Sequence, residues 1–364
     1  MGACASALAA TALVASCAAP NVYFDPSKSH HRRDGFSNNH VEFEPKGIAT
    51  VVRWRVSSTI DGLPEPPREP TPTVAPDLAF IRANANPAVM QPAITWLGHS
   101  TVLAQFGGLN VLTDPQFSQR ASPFTFVGPK RALPPGVALA DLPHIDLVVV
   151  SHDHYDHLDE ASVVALSRQA GGSPLFVVPL GLKPWLANVG ITNAIELDWW
   201  QSHRVGNAEV VLTPLQHWSG RGLLDRMRSL WGGFAVFASD AHFYFAGDSG
   251  YSRDFAEIRA RFADRQREGG GFDIAVIPIG GYLPRWFMST QHVDPGEAVR
   301  VHNDLGAKRS VGVHWGTFQL TDERLDDPPD EMARARRAVG LADDAFFVLA
   351  VGETRRLPSR LTAR

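Results

Sequence analysis

The stretch that most constrains this chain is His152-Asp153-His154-Tyr155-Asp156-His157, which follows the largely apolar run 145–150 with only Ser151 between. Three imidazoles and two carboxylates fall within six residues. Packed into a core without partners, such groups would carry a heavy desolvation cost. Gathered around a cation at the end of a buried strand, they are compensated. His152 and His154 alternate onto one side of the chain as it leaves the strand. Asp156 and His157 then face a second position a few ångströms away. The pattern suits two adjacent metal ions better than one.

One loop cannot complete two such sites, because a catalytic zinc normally keeps three protein ligands and an open position. The candidates for the remainder are His217, Asp248 and His314. Each follows a short run rich in Val, Phe or Tyr (209–213, 242–246 and Ser310–Val313) that reads as a strand. Polar groups collected at strand ends are where a rigid scaffold presents chemistry.

The balance of the 364 residues is that of an ordinary soluble domain, with 44% hydrophobic and 20% charged residues. A net charge of −4 leaves no electrostatic footprint for nucleic acid. Fourteen histidines are the more telling count, since neutral imidazole is the commonest metal ligand. Beyond the N-terminus no apolar run approaches the ~20 residues needed to cross a bilayer.

Residues 1–19 carry no charge, and Leu-Val-Ala-Ser-Cys at 13–17 resembles a bacterial lipoprotein cleavage site with Cys17 as the lipidated residue. The positive n-region of an export signal is missing, and Met-Gly-Ala-Cys-Ala-Ser at 1–6 also fits N-myristoylation with a palmitoylated Cys4. Either reading places the chain at a membrane surface. The lipoprotein reading is preferred, with a lipid anchor in the cell envelope at the periplasmic face of the outer membrane. Cys4 and Cys17 are the two cysteines of the chain, so the rest has neither disulfide nor thiolate ligand. Residues 18–76 read as an extension ending in a connector, with six prolines in 64–76. His30 and His31 there are expected to be solvated. From residue 77 to 364 strands alternate with helical segments such as 252–263 and Pro295–Leu305, as in one α/β catalytic domain.

The metal loop together with His217, Asp248 and His314 resembles the metallo-β-lactamase superfamily. More narrowly, the chain is similar to the N-acyl-phosphatidylethanolamine-hydrolysing phospholipase D family and its bacterial relatives. The similar blocks include Trp-Leu-Gly-His-Ser-Thr-Val-Leu at 96–103, Thr-Asp-Pro at 113–115 and Glu-Leu-Asp-Trp-Trp at 196–200. Others are Gln-His-Trp-Ser-Gly-Arg at 216–221, Pro-Ile-Gly-Gly-Tyr-Leu-Pro-Arg-Trp-Phe-Met at 278–288, Gln-His-Val at 291–293 and His-Trp-Gly-Thr-Phe at 314–318. They extend over most of 96–354.

The resemblance implies an αββα sandwich with a dinuclear site on one edge. His152, His154 and His217 would hold one zinc ion, and Asp156, His157 and His314 a second, with Asp248 bridging. It also implies hydrolysis of N-acylated phospholipids to N-acylethanolamine and phosphatidate. Many lactam-cleaving members place a thiolate at the metal, and this chain has none to offer. The alternatives are a carboxylic ester, lactone or thioester hydrolase, or an envelope lipoprotein binding lipid or metal with little turnover.

Asp156, Asp248 and His292 are the expected catalytic residues. His292 would donate a proton or bond the phosphate, unless it only precedes the helix at Asp294. Asp114 would orient a ligand histidine, or form an Asx turn before Pro115. Tyr155, Gln291 and His292 are expected to touch substrate. Trp286 and Phe287 would form an exposed lip facing lipid.

Overall fold

The computed structural model describes residues 20–43, 46–222 and 224–362. Cys4 and the expected lipidation site Cys17 lie outside these residues.

The strand leading to the metal loop, Leu147–Val149, sits inside a seven-stranded sheet. Across that sheet the order is Thr354–Arg356, Ala93–Gly98, Thr101–Phe106, Leu109–Thr113, Leu147–Val149, Leu175–Pro179 and Ala194–Leu197. The first three pairings are antiparallel and the last three parallel. A second seven-stranded sheet runs Phe346–Phe347, Ser310–Val313, Ile274–Pro278, His242–Phe245, Gly233–Phe237, Ala208–Thr213 and Ser202–Val205. Here the first three pairings are parallel and the rest antiparallel.

Period-2 alternation explains the layering. Leu147 and Val149 enter the core shared by the two sheets, with Trp96, Val111, Leu212, Phe234 and Phe245. Val148 and Val150 point the other way, against Val163 and Leu166 of the helix Glu160–Ser167 and Leu182 and Leu186 of the helix Leu182–Asn188. A parallel strand covered on both faces reads as continuous Val and Leu for this reason. Helices Asp254–Arg261, Pro295–Leu305 and Asp327–Ala338 contribute Ile258, Val299 and Met332 to the other core. The architecture is the αββα sandwich.

Local chemistry sets the boundaries. Pro295–Leu305 opens with a capping box, the Asp294 carboxylate taking the Glu297 N–H and the Glu297 carboxylate taking the Asp294 N–H, and ends on left-handed Gly306. Gly107 and Gly108, with φ of 62° and 75°, close the hairpin between Thr101–Phe106 and Leu109–Thr113.

Residues 20–76 depart from expectation. His30 and His31 are buried rather than solvated, both bonded to Asp198. The helix Ile48–Ile60 is unforeseen; its Trp54 packs on Phe287 and donates its indole N–H to Asp322. The proline-rich stretch is free of helix, and Thr73 bridges Val351 in parallel.

Candidate metal centre

The site residues collect where strands end. Asp114 follows Thr113, His152 follows Leu147–Val149 by three residues, and His314 follows Val313. Asp248 lies just past His242–Phe245, and His217 past Ala208–Thr213. The last two strands run the same way, each being antiparallel to Gly233–Phe237. Carboxyl ends of parallel strands in α/β sheets are the usual seat of ligand sites.

Two groups of donors form there. His152 Nε2 lies 2.8 Å from His154 Nδ1, and His217 Nε2 lies 3.4 Å from that same atom. Beside them, Asp156 Oδ2 is 3.3 Å from His157 Nε2 and 3.4 Å from His314 Nε2. Asp248 Oδ2 stands 3.0 Å and 3.2 Å from those two nitrogens. The groups abut, since the His152 and His157 ring centroids are 4.2 Å apart.

These residues fit a metal. Facing imidazole nitrogens repel through their lone pairs unless a proton or a cation lies between them. His157 Nε2, His314 Nε2 and Asp248 Oδ1 are buried without a well-directed hydrogen bond. Buried polar atoms are rarely left so. The donor set, imidazole nitrogen and carboxylate oxygen, is the kind zinc accepts.

The outward atoms of these donors are held. Asp114 Oδ2 accepts from His157 Nδ1 at 2.6 Å and from Ser151 Oγ at 2.6 Å. Ser151 Oγ also meets His152 Nδ1 at 2.8 Å, and the Gln291 carbonyl accepts from His217 Nδ1 at 2.9 Å. His99 Nε2 reaches Asp156 Oδ2 at 2.9 Å. Such contacts fix the tautomer and direction of a ligand. His99, Asp114 and His314 have φ of 51°, 31° and 62°, a left-handed backbone that side chains disfavour and that clusters at functional sites.

Charge divides the two groups. Burial, reinforced by neighbouring imidazoles, pushes His217 down to about 3 and His152 well below its usual range. Burial also lowers His154, to about 4. Their lone pairs are free at neutral pH. For His314 burial acts downward too, but Asp248 and Asp156 outweigh it and raise the ring to about 9. For His157 too burial acts downward, yet Asp248, Asp156 and Asp114 hold the ring well above its usual range. Burial opposes ionisation of Asp156 and Asp248, yet His157 and its neighbours hold both carboxyls well below the usual range.

Other expected residues land differently. His292 lies at the rim, its Nδ1 3.8 Å from Asp248 Oδ2, its ring 5.4 Å from His217 and from His314. Tyr155 lines a neighbouring cavity of about 760 Å³ with Arg120, Phe124, Trp185 and Arg221. The Arg221 guanidinium sits over its ring at 4.1 Å. Gln291 is not turned outward as a substrate contact. Its side chain is buried, with the amide toward Met288 Sδ, and only its carbonyl serves the site. The expected lip is half right in geometry: Trp286 is 50% exposed, but Phe287 at 7% is packed under the helix Ile48–Ile60. Sequence reading missed Ser151 and Asn38, whose roles come from contacts across the chain, and left His99 open between capping a turn and supporting a metal-site residue. The block at 96–103 was the one available pointer to His99.

Residues 109–315 match the family described as beta-lactamase superfamily domain. The chain is 42% identical over 271 residues to N-acyl-phosphatidylethanolamine-hydrolyzing phospholipase D 1 of Caenorhabditis elegans, covering 71% of this chain and 74% of that one. It is 37% identical over 258 residues to the mitochondrial N-acyl-phosphatidylethanolamine-hydrolyzing phospholipase D of Saccharomyces cerevisiae, covering 69% of this chain and 53% of that one. Among solved structures, the isothiocyanate hydrolase from Delia radicum gut bacteria shares the fold with a TM-score of 0.56 at 20% identity, covering 73% of this chain and 99% of that one. The chain is therefore a hydrolase of the metallo-β-lactamase superfamily and belongs, within it, to the family of the N-acyl-phosphatidylethanolamine-hydrolysing phospholipases D.

Proposed function

We propose that this chain is a dizinc phosphodiesterase that cleaves N-acyl-phosphatidylethanolamine-like phospholipids to N-acylethanolamine and phosphatidate at a membrane surface. The observation that carries the reading is the pair of abutting donor groups. One is all imidazole; the other is imidazole and carboxylate, with Asp248 Oδ1 buried and unpartnered. His152, His154 and His217 would hold one ion, Asp156, His157 and His314 the other, and Asp248 both. Two zinc ions so held would polarise phosphoryl oxygens and lower the pKa of a shared water toward ~7.

The protein's own part is positioning and charge. Asp156 and Asp248 supply the negative charge that keeps two cations close. Burial takes His292 down to about 3, so the ring is neutral at working pH. A neutral ring at the rim serves the phosphate better as a hydrogen-bond donor than as a stored proton. The related enzymes' names supply the substrate class.

The surface supports action at a lipid interface. Ile48, Val52, Val56 and Ile60 are all exposed and spaced by four along one helix, so they form an apolar stripe. Exposed Trp286 adjoins it, with the Arg53 guanidinium 5.4 Å above its ring. Apolar side chains flanked by Trp and Arg suit the boundary between headgroups and acyl chains. Lipidation at Cys17 would add a tether in the cell envelope.

Incubation of the zinc-loaded protein with an N-acyl-phosphatidylethanolamine, followed by mass spectrometry, should yield N-acylethanolamine and phosphatidate in equal amounts. Faster turnover of a lactone, thioester or carboxylic ester than of any phosphodiester would overturn the reading. So would bound zinc without turnover of any of these substrates.

A further inference from the structure

His217 is fully buried and lies past the last residue of its strand, Thr213, so the strand's ladder does not reach its backbone N–H and C=O. Asn38 reaches both. Its Oδ1 accepts from the His217 N–H at 3.0 Å, and its Nδ2 donates to the His217 carbonyl at 2.9 Å. The Trp231 indole N–H braces the arrangement, shared between Asn38 Oδ1 at 3.2 Å and the Leu215 carbonyl at 2.9 Å. A short amide presents one acceptor and one donor side by side; a carboxylate has no donor and Ala has neither. The ring of His217 is gripped separately, through Nδ1 and the Gln291 carbonyl. With backbone and ring both fixed, Nε2 has one direction left, toward His154.

Asn38 is itself delivered by a strap anchored on both layers. Lys28, His30 and His31 converge on Asp198, and the Tyr23 hydroxyl donates to Glu196 at 3.0 Å. Both acceptors lie at the end of the first sheet, within or just after Ala194–Leu197. Phe36 sits in the inter-sheet core, and its N–H donates to the Met227 carbonyl at 2.8 Å. Beyond Asn38, the Asn39 amide donates at 3.0 Å to Asp254, the first residue of the helix Asp254–Arg261 beside the second sheet.

We propose that Asn38 is a positioning residue for His217, which makes the strap a working part of the metal centre rather than an appendage. The inference rests on reading His217 as a zinc ligand, and the experiment separates the two. Zinc affinity of Asn38→Ala and Asn38→Asp would be measured by chelator competition, with thermal unfolding of the metal-free forms and visible spectra of cobalt(II)-loaded protein. Asn39→Ala serves as control, since it removes a strap contact that does not touch His217.

Both Asn38 variants should bind one of two zinc ions about 10–100-fold more weakly, the usual effect of losing a ligand's support. Their cobalt spectra should shift, and kcat should fall more than KM rises when zinc is saturating. Asn39→Ala should lose melting temperature yet keep wild-type zinc affinity. Should the alanine variant fail to fold, the near-isosteric Asn38→Asp carries the decision. Asn38 variants with wild-type zinc affinity and an unchanged cobalt spectrum would overturn the proposal, whatever their melting temperature. His217→Ala with wild-type zinc affinity would instead remove the ligand reading on which it stands.

Discussion

Asp114 Oδ2 and His157 Nδ1 are 2.6 Å apart, both wholly buried, so the carboxylate accepts a hydrogen bond from the ring's outer N–H and turns Nε2 toward Asp248. One residue thereby decides the direction, the tautomer and the basicity of another. Burial raises the Asp114 carboxyl, while His157 and Ser151 oppose that rise.

Asp114→Asn keeps the shape but loses the charge that supports His157. Zinc affinity or kcat/KM should drop about 10–100-fold, with far-UV circular dichroism unchanged. Equilibrium dialysis and steady-state kinetics check this. Wild-type values in both would reduce Asp114 to a turn former.

Asp248→Asn should damage turnover more than folding. The amide occupies the same volume, yet it would no longer offset two cations held beside it, nor, in the metal-free protein, the charge on His157 and His314. Elemental analysis should find close to two zinc ions in the wild type and fewer in the variant, and a chelator should abolish wild-type activity. A variant with both ions and near-normal kcat would show that Asp248 is not the bridge.

The pH dependence of the metal-free protein has a definite sign. The His314 pKa is raised from 6.5 to about 9 by Asp248 and Asp156 against the effect of burial. A raised folded pKa contributes stability fully present below 6.5 and lost as pH climbs through about 9. Chelated protein should therefore melt at progressively lower temperature across that interval. Zinc must displace the same proton, so its affinity should increase with pH over the same range. Calorimetry in buffers of different ionisation enthalpy should register proton release on zinc binding. A flat melting profile together with pH-independent affinity would contradict the assignment.

The exposed face at Trp286 and the helix Ile48–Ile60 predicts dependence on lipid presentation. Long N-acyl chains should raise kcat/KM, by at most ~0.8 kcal/mol for each buried methylene. Trp286→Ala, or charge placed on the stripe by Val52→Glu with Val56→Glu, should weaken binding to phospholipid vesicles. Hydrolysis of a small bis-nitrophenyl phosphodiester should hardly change, because the metal centre is the same in both assays. Vesicle binding equal to wild type in both variants would remove this face from substrate capture.

Local pattern carried a large part of this protein. The run 145–150 demanded a buried strand, and the polar cluster after it demanded a functional edge. The same reasoning placed His217, Asp248 and His314 at strand ends. The capping residues around Pro295–Leu305 act within a few positions of one another, so that helix is legible in the sequence. Contacts between distant segments decided the rest. The helix Ile48–Ile60 holds Val51, Val52, Val56 and Ile60, β-branched residues that disfavour helix, and Trp54 docks it on Phe287 and Asp322. The same docking buries Phe287 and leaves Trp286 outside. His30 and His31 look solvated until Asp198, more than 160 residues away, compensates them. Neither the left-handed backbone at His99 and Asp114 nor the reach of Asn38 to His217 has a local signature, because each is imposed by packing between segments far apart in the chain. Sequence determined which polar groups would gather at the strand ends; only the tertiary structure could decide which way they point, since direction is set by partners that no local pattern names.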